Sequence, residues 1–164
     1  SLEEADVLIL TGGVSKGKFD FIPSALKEIG AKEIFHKVKQ RPGKPLWYGT
    51  YKNKQIFALP GNPVSCLVTL RRYVIESLRL SQNLNSTNQV IQLDEEVIFK
   101  IPLTLFQPVF AHLSDTGRYI SKPIKSNGSG DFYSIGLSSG FIELDESITK
   151  FERGTCYKYY PWGK

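Results

Sequence analysis

The stretch from Leu59 to Ser65, Leu-Pro-Gly-Asn-Pro-Val-Ser, constrains the fold of this chain more than any other segment. Its two prolines have a fixed φ and no donor N–H, whereas Gly61 between them tolerates a positive φ. Asn62 is a favoured N-cap residue, and Pro63 then falls at the first helical position, where its missing N–H costs nothing. The pattern predicts a rigid turn that joins a strand to the start of a helix.

The segments on either side of this turn fit the assignment. Residues 55–59, Gln-Ile-Phe-Ala-Leu, are typical of a buried strand, and the run from Val64 to Leu80 is typical of a helix. The turn would therefore place the N–H groups of a helix start at the end of a strand, where the helix dipole attracts anions. A stiff connector that binds no ligand is the alternative for the same turn.

A second strand-turn-helix unit lies upstream. Residues 6–10 are mostly apolar, the turn Thr-Gly-Gly-Val-Ser follows at 11–15, and the apolar residues at 22, 25, 26 and 29 have the spacing of one helix face. Gly30 is expected to end that helix. Because both turns follow the carboxyl ends of strands, they predict one ligand-binding crevice on an α/β sheet.

The most cationic segment, residues 36–44 (His-Lys-Val-Lys-Gln-Arg-Pro-Gly-Lys), lies between the two turns. If this segment is extended, Lys37, Lys39 and Arg41 fall on one side of it. Such a group of cations suits a phosphate-bearing ligand. The alternative is a solvated strand edge whose lysines oppose aggregation.

Composition narrows the class of protein. Of the 164 residues, 41% are hydrophobic and 23% are charged, and no apolar run approaches the roughly 20 residues that span a bilayer. The 21 basic and 16 acidic residues give a net charge of +5 that is spread along the chain, which does not favour nucleic acid as the partner. Cys66 and Cys156 form no metal or redox motif, which favours a reducing cytoplasm.

The character of the chain changes after residue 80. Residues 81–88 are polar and turn-rich, no helical period follows them, and Pro102, Pro108 and Pro123 interrupt any long helix. Strand patterns at 109–113, 118–121, 141–144 and 155–160 indicate a small all-β domain. We therefore predict an α/β domain over residues 1–82, a linker over 83–88 and a β domain over 89–164.

The first domain is short for its class, because doubly wound domains usually hold about 100–150 residues. An all-apolar strand such as Val7–Leu10 also needs neighbouring strands on both sides. We infer that the chain is a C-terminal piece of a longer protein, or that a partner supplies the missing strands.

Taken together, these segments resemble the C-terminal half of the molybdopterin molybdenumtransferase family, which inserts molybdate in molybdenum cofactor synthesis and is related to the C-terminal domain of gephyrin. The matching residues agree with the family in order and spacing: Thr11–Ser15, Asp20, His36–Lys37, Arg41–Pro45 and Leu59–Ser65. The resemblance covers nearly the whole chain. It implies an α/β fold in which part of a three-layer α/β/α sandwich is followed by a small C-terminal β-barrel.

The resemblance also implies a chemistry for the full-length protein. Adenylylated molybdopterin binds, molybdate is added at its dithiolene, and AMP is released with Mg²⁺ as the cofactor. Helix N-termini, glycine N–H groups and Lys or Arg charges suit such multiply negative ligands. The family's metal-binding carboxylates lie upstream of this chain and its members act as homodimers, so this segment is expected to lack the metal ligands and to be inactive alone.

Carried over residue by residue, the resemblance assigns catalytic roles to Asp20, Lys37 and Arg41. Arg41 stands where the family more often has lysine, which keeps the charge but replaces a point charge by a planar fork. Asp20 has an alternative role as the N-cap of the first helix. Substrate binding is assigned to residues in the turns and in a Gly-Ser segment of the β domain: Gly12, Gly13, Ser15, Lys44, Pro60, Gly61, Asn62, Pro63, Ser65 and Ser129.

Several alternatives stay open at this point. Lys44 and Ser129 could lie in plain solvated loops. The same sandwich fold could bind molybdopterin without turnover or serve as a scaffold, and a related sandwich is attached to a nucleotide amidase. The trailing β domain and the Pro-Gly-Asn-Pro turn favour the transferase over the amidase. His112 has no second ligand spaced for a metal, which indicates a core or surface histidine.

Overall fold

The computed structural model describes residues 4–15, 20–85, 89–125 and 131–163. Its N-terminal part consists of β1 (Val7–Thr11), α1 (Ile22–Glu28), β2 (Lys32–His36), β3 (Gln40–Arg41), β4 (Trp47–Tyr51), β5 (Lys54–Leu59), α2 (Pro63–Thr69), a π-helical turn (Leu70–Val74) and α3 (Ile75–Ser81). Its C-terminal part consists of β6 (Val90–Leu93), β7 (Val97–Ile98), β8 (Thr104–Leu113), β9 (Tyr119–Pro123), α4 (Phe132–Leu137), β10 (Gly140–Leu144), β11 (Lys150–Phe151) and β12 (Cys156–Pro161).

A four-stranded sheet with the order β1-β5-β4-β2 forms the centre of the N-terminal part. β1 and β5 run parallel, with Thr11 opposite Leu59, whereas β4 is antiparallel to both β5 and β2. β4 and β5 are joined by a tight turn and form a hairpin. The carboxyl ends of β1 and β5 meet at one edge of the sheet, where both glycine-containing turns begin.

Helices cover both faces of this sheet, because successive strand residues point to opposite sides. On one face a cluster joins the sheet to α1 through Leu8, Leu10, Leu26, Ile56 and Ala58. On the other face a cluster joins the sheet to the helical segment after β5 through Val7, Phe57, Leu59, Leu70 and Val74. This arrangement is the predicted α/β/α layering.

Helical structure continues without a break from Pro63 to Ser81, and we call this segment the long helix. It begins as predicted: the side chain of Asn62 accepts a hydrogen bond from the Ser65 N–H at 3.0 Å, and Pro63 is the first helical residue. The π-helical turn in its middle was not predicted, because the apolar spacing alone does not distinguish it from an α-turn. Upstream, Gly30 ends α1 with a φ of 84°, as expected.

Five strands of the C-terminal part close into a barrel in the order β10-β12-β6-β9-β8, since β8 also pairs with β10. Its interior is filled by Ile91, Leu93, Val109, Ile142, Leu144 and Tyr159. The prediction of a purely β domain is corrected by α4. Asp131 caps this helix by accepting a hydrogen bond from the Ser134 N–H at 3.0 Å, and an aspartate three residues before that serine was the available sequence signal.

The barrel packs against the long helix. Val68 lies in one buried cluster with Phe106, Phe141 and Tyr160, and β3 pairs with β8. The Arg72 guanidinium donates two hydrogen bonds to the carboxylate of Glu143, at 3.0 and 3.2 Å. The Tyr160 hydroxyl donates to the same carboxylate at 2.6 Å, and burial together with this bond raises its pKa far above the usual value for tyrosine. Side-chain and backbone contacts thus join the two parts.

The predicted domain boundaries at residues 82 and 89 stay a prediction; α3 ends at Ser81 and β6 begins at Val90. Among the described residues, no helix has the length and apolar character needed to cross a membrane.

Candidate functional site

The two glycine-containing turns lie side by side at the edge of the sheet, as the sequence predicted. The N–H of Gly12 donates to the carbonyl of Leu59 at 3.0 Å. A Cβ atom built on Gly61 would stand only 3.1 Å from the Cα of Gly12. The backbones of the two turns are therefore almost in contact, and a larger residue at position 61 would push them apart.

A cleft of about 420 Å³ opens beside these turns. Seven of the predicted site residues line it, namely Ser15, Arg41, Lys44, Pro60, Gly61, Asn62 and Ser65. The described lining is completed by Gln40, Pro42, Gly43, Pro45 and Leu103. Arg41 and Lys44 are exposed to solvent, so the cleft presents two cations beside the tightly turned backbone.

One wall of the cleft, residues 60–65, is held by its own helix cap, and we call it the capped wall. Asn62 Oδ1 accepts hydrogen bonds from both the N–H and the hydroxyl of Ser65, at 3.0 and 3.1 Å. Ser65 is 5% exposed, and its hydroxyl proton is already used within the wall. Ser65 therefore shapes the cleft, whereas the Nδ2 group of Asn62 takes no part in the cap and remains a donor for a ligand.

The other wall, residues 40–45, carries Arg41 and Lys44, and we call it the cationic wall. Its ends are closed by backbone hydrogen bonds, from the Val38 N–H to the Lys44 carbonyl at 2.9 Å and from the Leu46 N–H to the Gly43 carbonyl at 3.3 Å. The peptide bond before Pro42 is cis. Residues 40–41 form the edge strand β3, and these contacts close the turn that follows it.

Lys37 lies outside the cleft lining. β2 ends at His36, and Lys37 itself has a φ of 69°, in the left-handed region. Residues 37–41 therefore do not form one extended strand, and the condition under which Lys37, Lys39 and Arg41 would share a side is not met. The Lys37 N–H donates to the Leu46 carbonyl at 2.9 Å, so the loop that precedes the cationic wall is fixed by backbone contacts.

The remaining predicted residues do not line the cleft or fall beyond the described part. The alternative role of Asp20 is wrong, because Phe21 is the N-cap of α1. Gly13 lies against α1, where an added Cβ would stand 3.0 Å from Cγ1 of Ile22. Pro63 starts α2 within the capped wall but does not line the cleft. Ser129 and its Gly-Ser segment lie outside the described residues.

Gln40 is a site residue that the sequence analysis missed. It is 2% exposed, its Nε2 donates to the Gly43 carbonyl at 3.1 Å, and its Oε1 accepts from the Tyr73 hydroxyl. Tyr73 lies 33 positions further along the chain. No local pattern marks a glutamine within a basic segment as buried, so only the fold could reveal this pair.

A second cavity of about 230 Å³ lies between the long helix and the barrel. Arg41 and Pro42 line this cavity as well as the cleft. Its other walls are mostly apolar and include Val64, Val68, Phe106 and Ile135. Arg41 therefore stands where the two cavities meet.

The cleft does not fit a divalent cation. Across the described ranges, no group of three or more His, Cys, Asp and Glu side chains could hold a metal ion. The described lining of the cleft contains two cations and no carboxylate, whereas Mg²⁺ prefers carboxylate oxygens and water. Its charge suits an anion instead.

Comparison with known families matches both parts of the chain. Residues 1–80 match the family described as "Probable molybdopterin binding domain". Residues 91–162 match the family described as "MoeA C-terminal region (domain IV)". The two matches follow one another in the order of the two structural parts.

Two curated relatives that share one name align with nearly the whole chain. The molybdopterin molybdenumtransferase of Synechocystis sp. is 39% identical over 163 residues, and that of Bacillus subtilis is 29% identical over 157 residues. These alignments cover 97% and 94% of this chain but 39% and 36% of the relatives. The chain thus spans less than two fifths of the length of either protein.

Solved structures share the fold. A molybdopterin biosynthesis MoeA protein from Pyrococcus horikoshii matches with a TM-score of 0.74 and 24% identity, over 99% of this chain and 39% of that chain. A molybdenum cofactor biosynthesis protein from Pyrococcus furiosus matches with a TM-score of 0.69 and 20% identity, over 97% of this chain and 50% of that one. At these identities the likeness establishes the fold: a sandwich part followed by a barrel.

Proposed function

Because this chain belongs to the molybdopterin molybdenumtransferase family, we propose that its cleft binds the oxyanion groups of the substrates of molybdenum cofactor biosynthesis. The whole protein, in this proposal, inserts molybdate into adenylylated molybdopterin and releases AMP. The observation that supports it most is the convergence of two tight turns with Arg41 and Lys44 around one cleft. A molybdate dianion or a phosphate group is the kind of guest that this convergence suits.

The two cations have different tasks in this proposal. Arg41 offers a planar fork that can donate two parallel hydrogen bonds to one oxyanion, whereas Lys44 adds a point charge on a flexible stem. The capped wall contributes backbone and Asn62 amide donors at fixed positions. Together these groups orient and neutralise the anion, which is how proteins assist reactions at multiply charged centres.

Because both cations are exposed, water weakens their electrostatic attraction for an anion. Two unit charges 4 Å apart attract by about 1 kcal/mol in water and about 4 kcal/mol at a typical protein surface. Two cations acting on a dianion at the wet end of this range give a few kcal/mol, which corresponds to roughly millimolar affinity. We therefore expect this chain to hold molybdate weakly, with tight substrate binding requiring the rest of the protein.

Isothermal titration of the 164-residue chain with molybdate, at about 50 and about 200 mM salt, tests the proposal. We expect binding that weakens with salt, and an Arg41→Ala variant that binds about tenfold more weakly because one charged hydrogen-bond partner is lost. Lys32→Ala is the matched control. It removes the same charge from an exposed position on β2 that does not line the cleft.

The outcome decides between a specific and a general electrostatic effect. Equal losses in Arg41→Ala and Lys32→Ala would mean that only the net charge of the chain attracts molybdate, and the cleft proposal would then be wrong. Titration with sulfate, a dianion of similar shape, measures how far the cleft selects among tetrahedral oxyanions.

Asp20 and Lys37 do not line the cleft described here. From the family resemblance, both are proposed to act in the whole protein. Asp20→Ala is expected to reduce molybdate insertion by the complete enzyme severely while leaving its fold intact, and Lys37→Ala is expected to weaken salt-sensitive substrate binding. Unchanged turnover or affinity would remove that residue from the mechanism. Circular dichroism of each variant separates loss of function from loss of fold.

Three further properties of the whole protein belong to the proposal. Mg²⁺ is proposed as its cofactor, with carboxylate ligands outside the cleft described here. A homodimer is proposed as the active assembly. A cytoplasmic location is proposed as well, and the free thiols of Cys66 and Cys156 support a reducing setting.

A further inference from the structure

The buried side-chain amide of Gln40 holds the turn of the cationic wall together by hydrogen bonds. Gln40 lies between Lys39 and Arg41, which are both exposed, yet it is 2% exposed itself. Its Nε2 donates to the Gly43 carbonyl, and its Oε1 accepts from the Tyr73 hydroxyl. A flipped amide would set its oxygen against the carbonyl oxygen of Gly43. The two hydrogen bonds therefore fix one orientation of the side chain.

Tyr73 reaches Gln40 from the π-helical turn of the long helix. The backbone hydrogen bond of that turn spans five residues, so the turn holds one residue more than an α-turn. Single π turns within α-helices occur frequently at functional sites. Burial raises the pKa of the Tyr73 hydroxyl, which therefore stays protonated and donates near neutral pH.

The cationic wall also presses directly on the long helix at Gly43. This residue has a φ of 93°, and a Cβ atom built on it would stand 2.6 Å from Cγ2 of Thr69 and 2.7 Å from Nε2 of Gln40. Thr69 and Tyr73 are spaced by four residues and contact the wall from the same side of the helix. The wall thus contacts the helix through close packing at Gly43 and through the hydrogen bond between Gln40 and Tyr73.

We propose that Gln40 and Tyr73 are positioning residues that set Arg41 and Lys44 at the separation needed to share one oxyanion. Tyr73 acts through Gln40, and Gln40 acts through the Gly43 carbonyl. Neither side chain needs to touch the ligand. The inference rests on the proposed function, because it deepens the account of the same cleft, and it adds a reason for the π-helical turn: the turn presents Tyr73 to the wall.

The test uses Tyr73→Phe, Gln40→Leu and the double variant in the 164-residue chain, titrated with molybdate at about 50 and about 200 mM salt. We expect affinity about fivefold weaker for Tyr73→Phe and about tenfold weaker for Gln40→Leu, with the double variant no weaker than Gln40→Leu alone, because residues in one chain of hydrogen bonds are not additive. The dependence of affinity on salt should become shallower, since the two cations no longer engage one anion together.

Control variants remove hydrogen bonds of the same chemical type elsewhere in the chain. Gln92→Leu removes a bond of 2.7 Å from a glutamine amide to the Gly154 carbonyl in the barrel. Tyr159→Phe removes a bond of 3.0 Å from a buried tyrosine to the Ser139 carbonyl. Both controls are expected to change stability but to leave molybdate affinity and its salt dependence unchanged.

Hydrogen exchange without any ligand provides the second readout. The Leu46 N–H donates to the Gly43 carbonyl and the Val38 N–H donates to the Lys44 carbonyl, so both amides report on the wall. We expect them to exchange faster in Tyr73→Phe and in Gln40→Leu, but not in the two controls. Tyr73→Phe removes a single oxygen atom, which keeps the test informative if Gln40→Leu does not fold.

The outcomes separate this inference from the proposed function. If the wild-type chain binds no molybdate, the proposed function fails, and unchanged exchange in the Tyr73 variant would overturn the inference as well. If wild type and Arg41→Ala behave as expected, but the Gln40 and Tyr73 variants bind like wild type, only the inference is overturned. Additive losses in the double variant would also overturn it, because Tyr73 would then act by another route.

Discussion

The two walls of the cleft are held in different ways. The capped wall is built from neighbours in the chain: Asn62 caps the helix that Pro63 begins, and its partner Ser65 lies three residues away. The cationic wall depends on distant residues, because Gln40 meets Tyr73 and the turn at Gly43 presses on Thr69. One wall is therefore fixed by local geometry, and the other by the packed fold.

This difference has a consequence for function. A locally determined wall keeps its shape whenever the helix forms, so it offers backbone donors at constant positions. A wall held by tertiary contacts can shift when those contacts change, and it carries the charges that attract an anion. The affinity of the cleft should therefore respond more to changes in the packing around Gln40 than to changes in the cap.

The largest expected effect is at Gly43. Gly43→Ala should lower the free energy of unfolding by about 3 kcal/mol, because it adds a steric clash with Thr69 to the cost of a left-handed alanine. Gly30→Ala is the matched control, since Gly30 also has a left-handed φ but no atom within 4 Å of an added Cβ, and it should cost about 1 kcal/mol. Urea unfolding followed by circular dichroism measures the free energy of unfolding of both variants. Equal decreases would show that the cationic wall moves to accommodate the added methyl group at no extra cost.

A smaller effect is expected at high pH. Burial raises the pKa of Tyr159 to about 12 and also raises that of Tyr73, whereas unfolded tyrosine titrates near 10. A raised folded pKa gives stability that is complete below about pH 10 and is lost as the pH approaches 12, amounting to about 2 kcal/mol for Tyr159.

The free energy of unfolding, measured between pH 9 and 12, tests this expectation. That range begins below the pKa of unfolded tyrosine and ends near the pKa of about 12 of folded Tyr159. Tyr159→Phe should make the profile less steep by removing the contribution of Tyr159, while the raised pKa of Tyr160 still contributes in the barrel. Tyr73→Phe should make it less steep by removing the contribution of the hydroxyl that supports the cationic wall. A wild-type profile that is level across this range would contradict the buried state of both hydroxyl groups.

The cap of the other wall should have a moderate and purely local effect. Asn62→Ala is expected to lower the free energy of unfolding by about 1 kcal/mol, the usual cost of losing an N-cap side chain. Asp131→Ala removes the corresponding cap of α4 and should cost a similar amount. Only the Asn62 variant should also weaken molybdate binding in a titration. Weaker binding in both variants would show that the loss comes from general destabilisation and not from the position of the Asn62 cap in the cleft.

The smallest expected effect distinguishes shape from charge. Arg41→Lys keeps the positive charge of the cationic wall but removes the planar fork, so affinity for molybdate should fall by only about two- to threefold. Lys44→Arg is the reciprocal change and should leave affinity within the same range. A tenfold loss in Arg41→Lys, comparable to that expected for Arg41→Ala, would show that the two-donor geometry matters more than the charge.

The contrast between the walls also explains what the sequence could predict. The turn at residues 60–65, the strand before it and the helix after it follow from proline, glycine and capping chemistry, which act within a few residues. The adjacency of the two turns follows from parallel strands, whose carboxyl ends share an edge. Most of the cleft lining was predicted for these reasons together with the family resemblance.

What the sequence could not predict depends on contacts between distant residues. The burial of Gln40 requires Tyr73, and the position of Tyr73 requires a π-helical turn that has no distinct apolar pattern. The extended conformation considered for Lys37, Lys39 and Arg41 does not form, because the loop closes through the Leu46 carbonyl and leaves Lys37 with a left-handed backbone. In the barrel, α4 was missed because its capping signal at Asp131 stands without a long amphipathic run.

Anomalous diffraction from crystals of this chain soaked in tungstate, a heavy analogue of molybdate, tests directly whether both walls hold one oxyanion between them. We expect one strong peak in the cleft, within hydrogen-bonding distance of Arg41 and of donors in Gly61 and Asn62. A peak against other lysines with the cleft left empty, at tungstate concentrations that saturate the crystal, would contradict it.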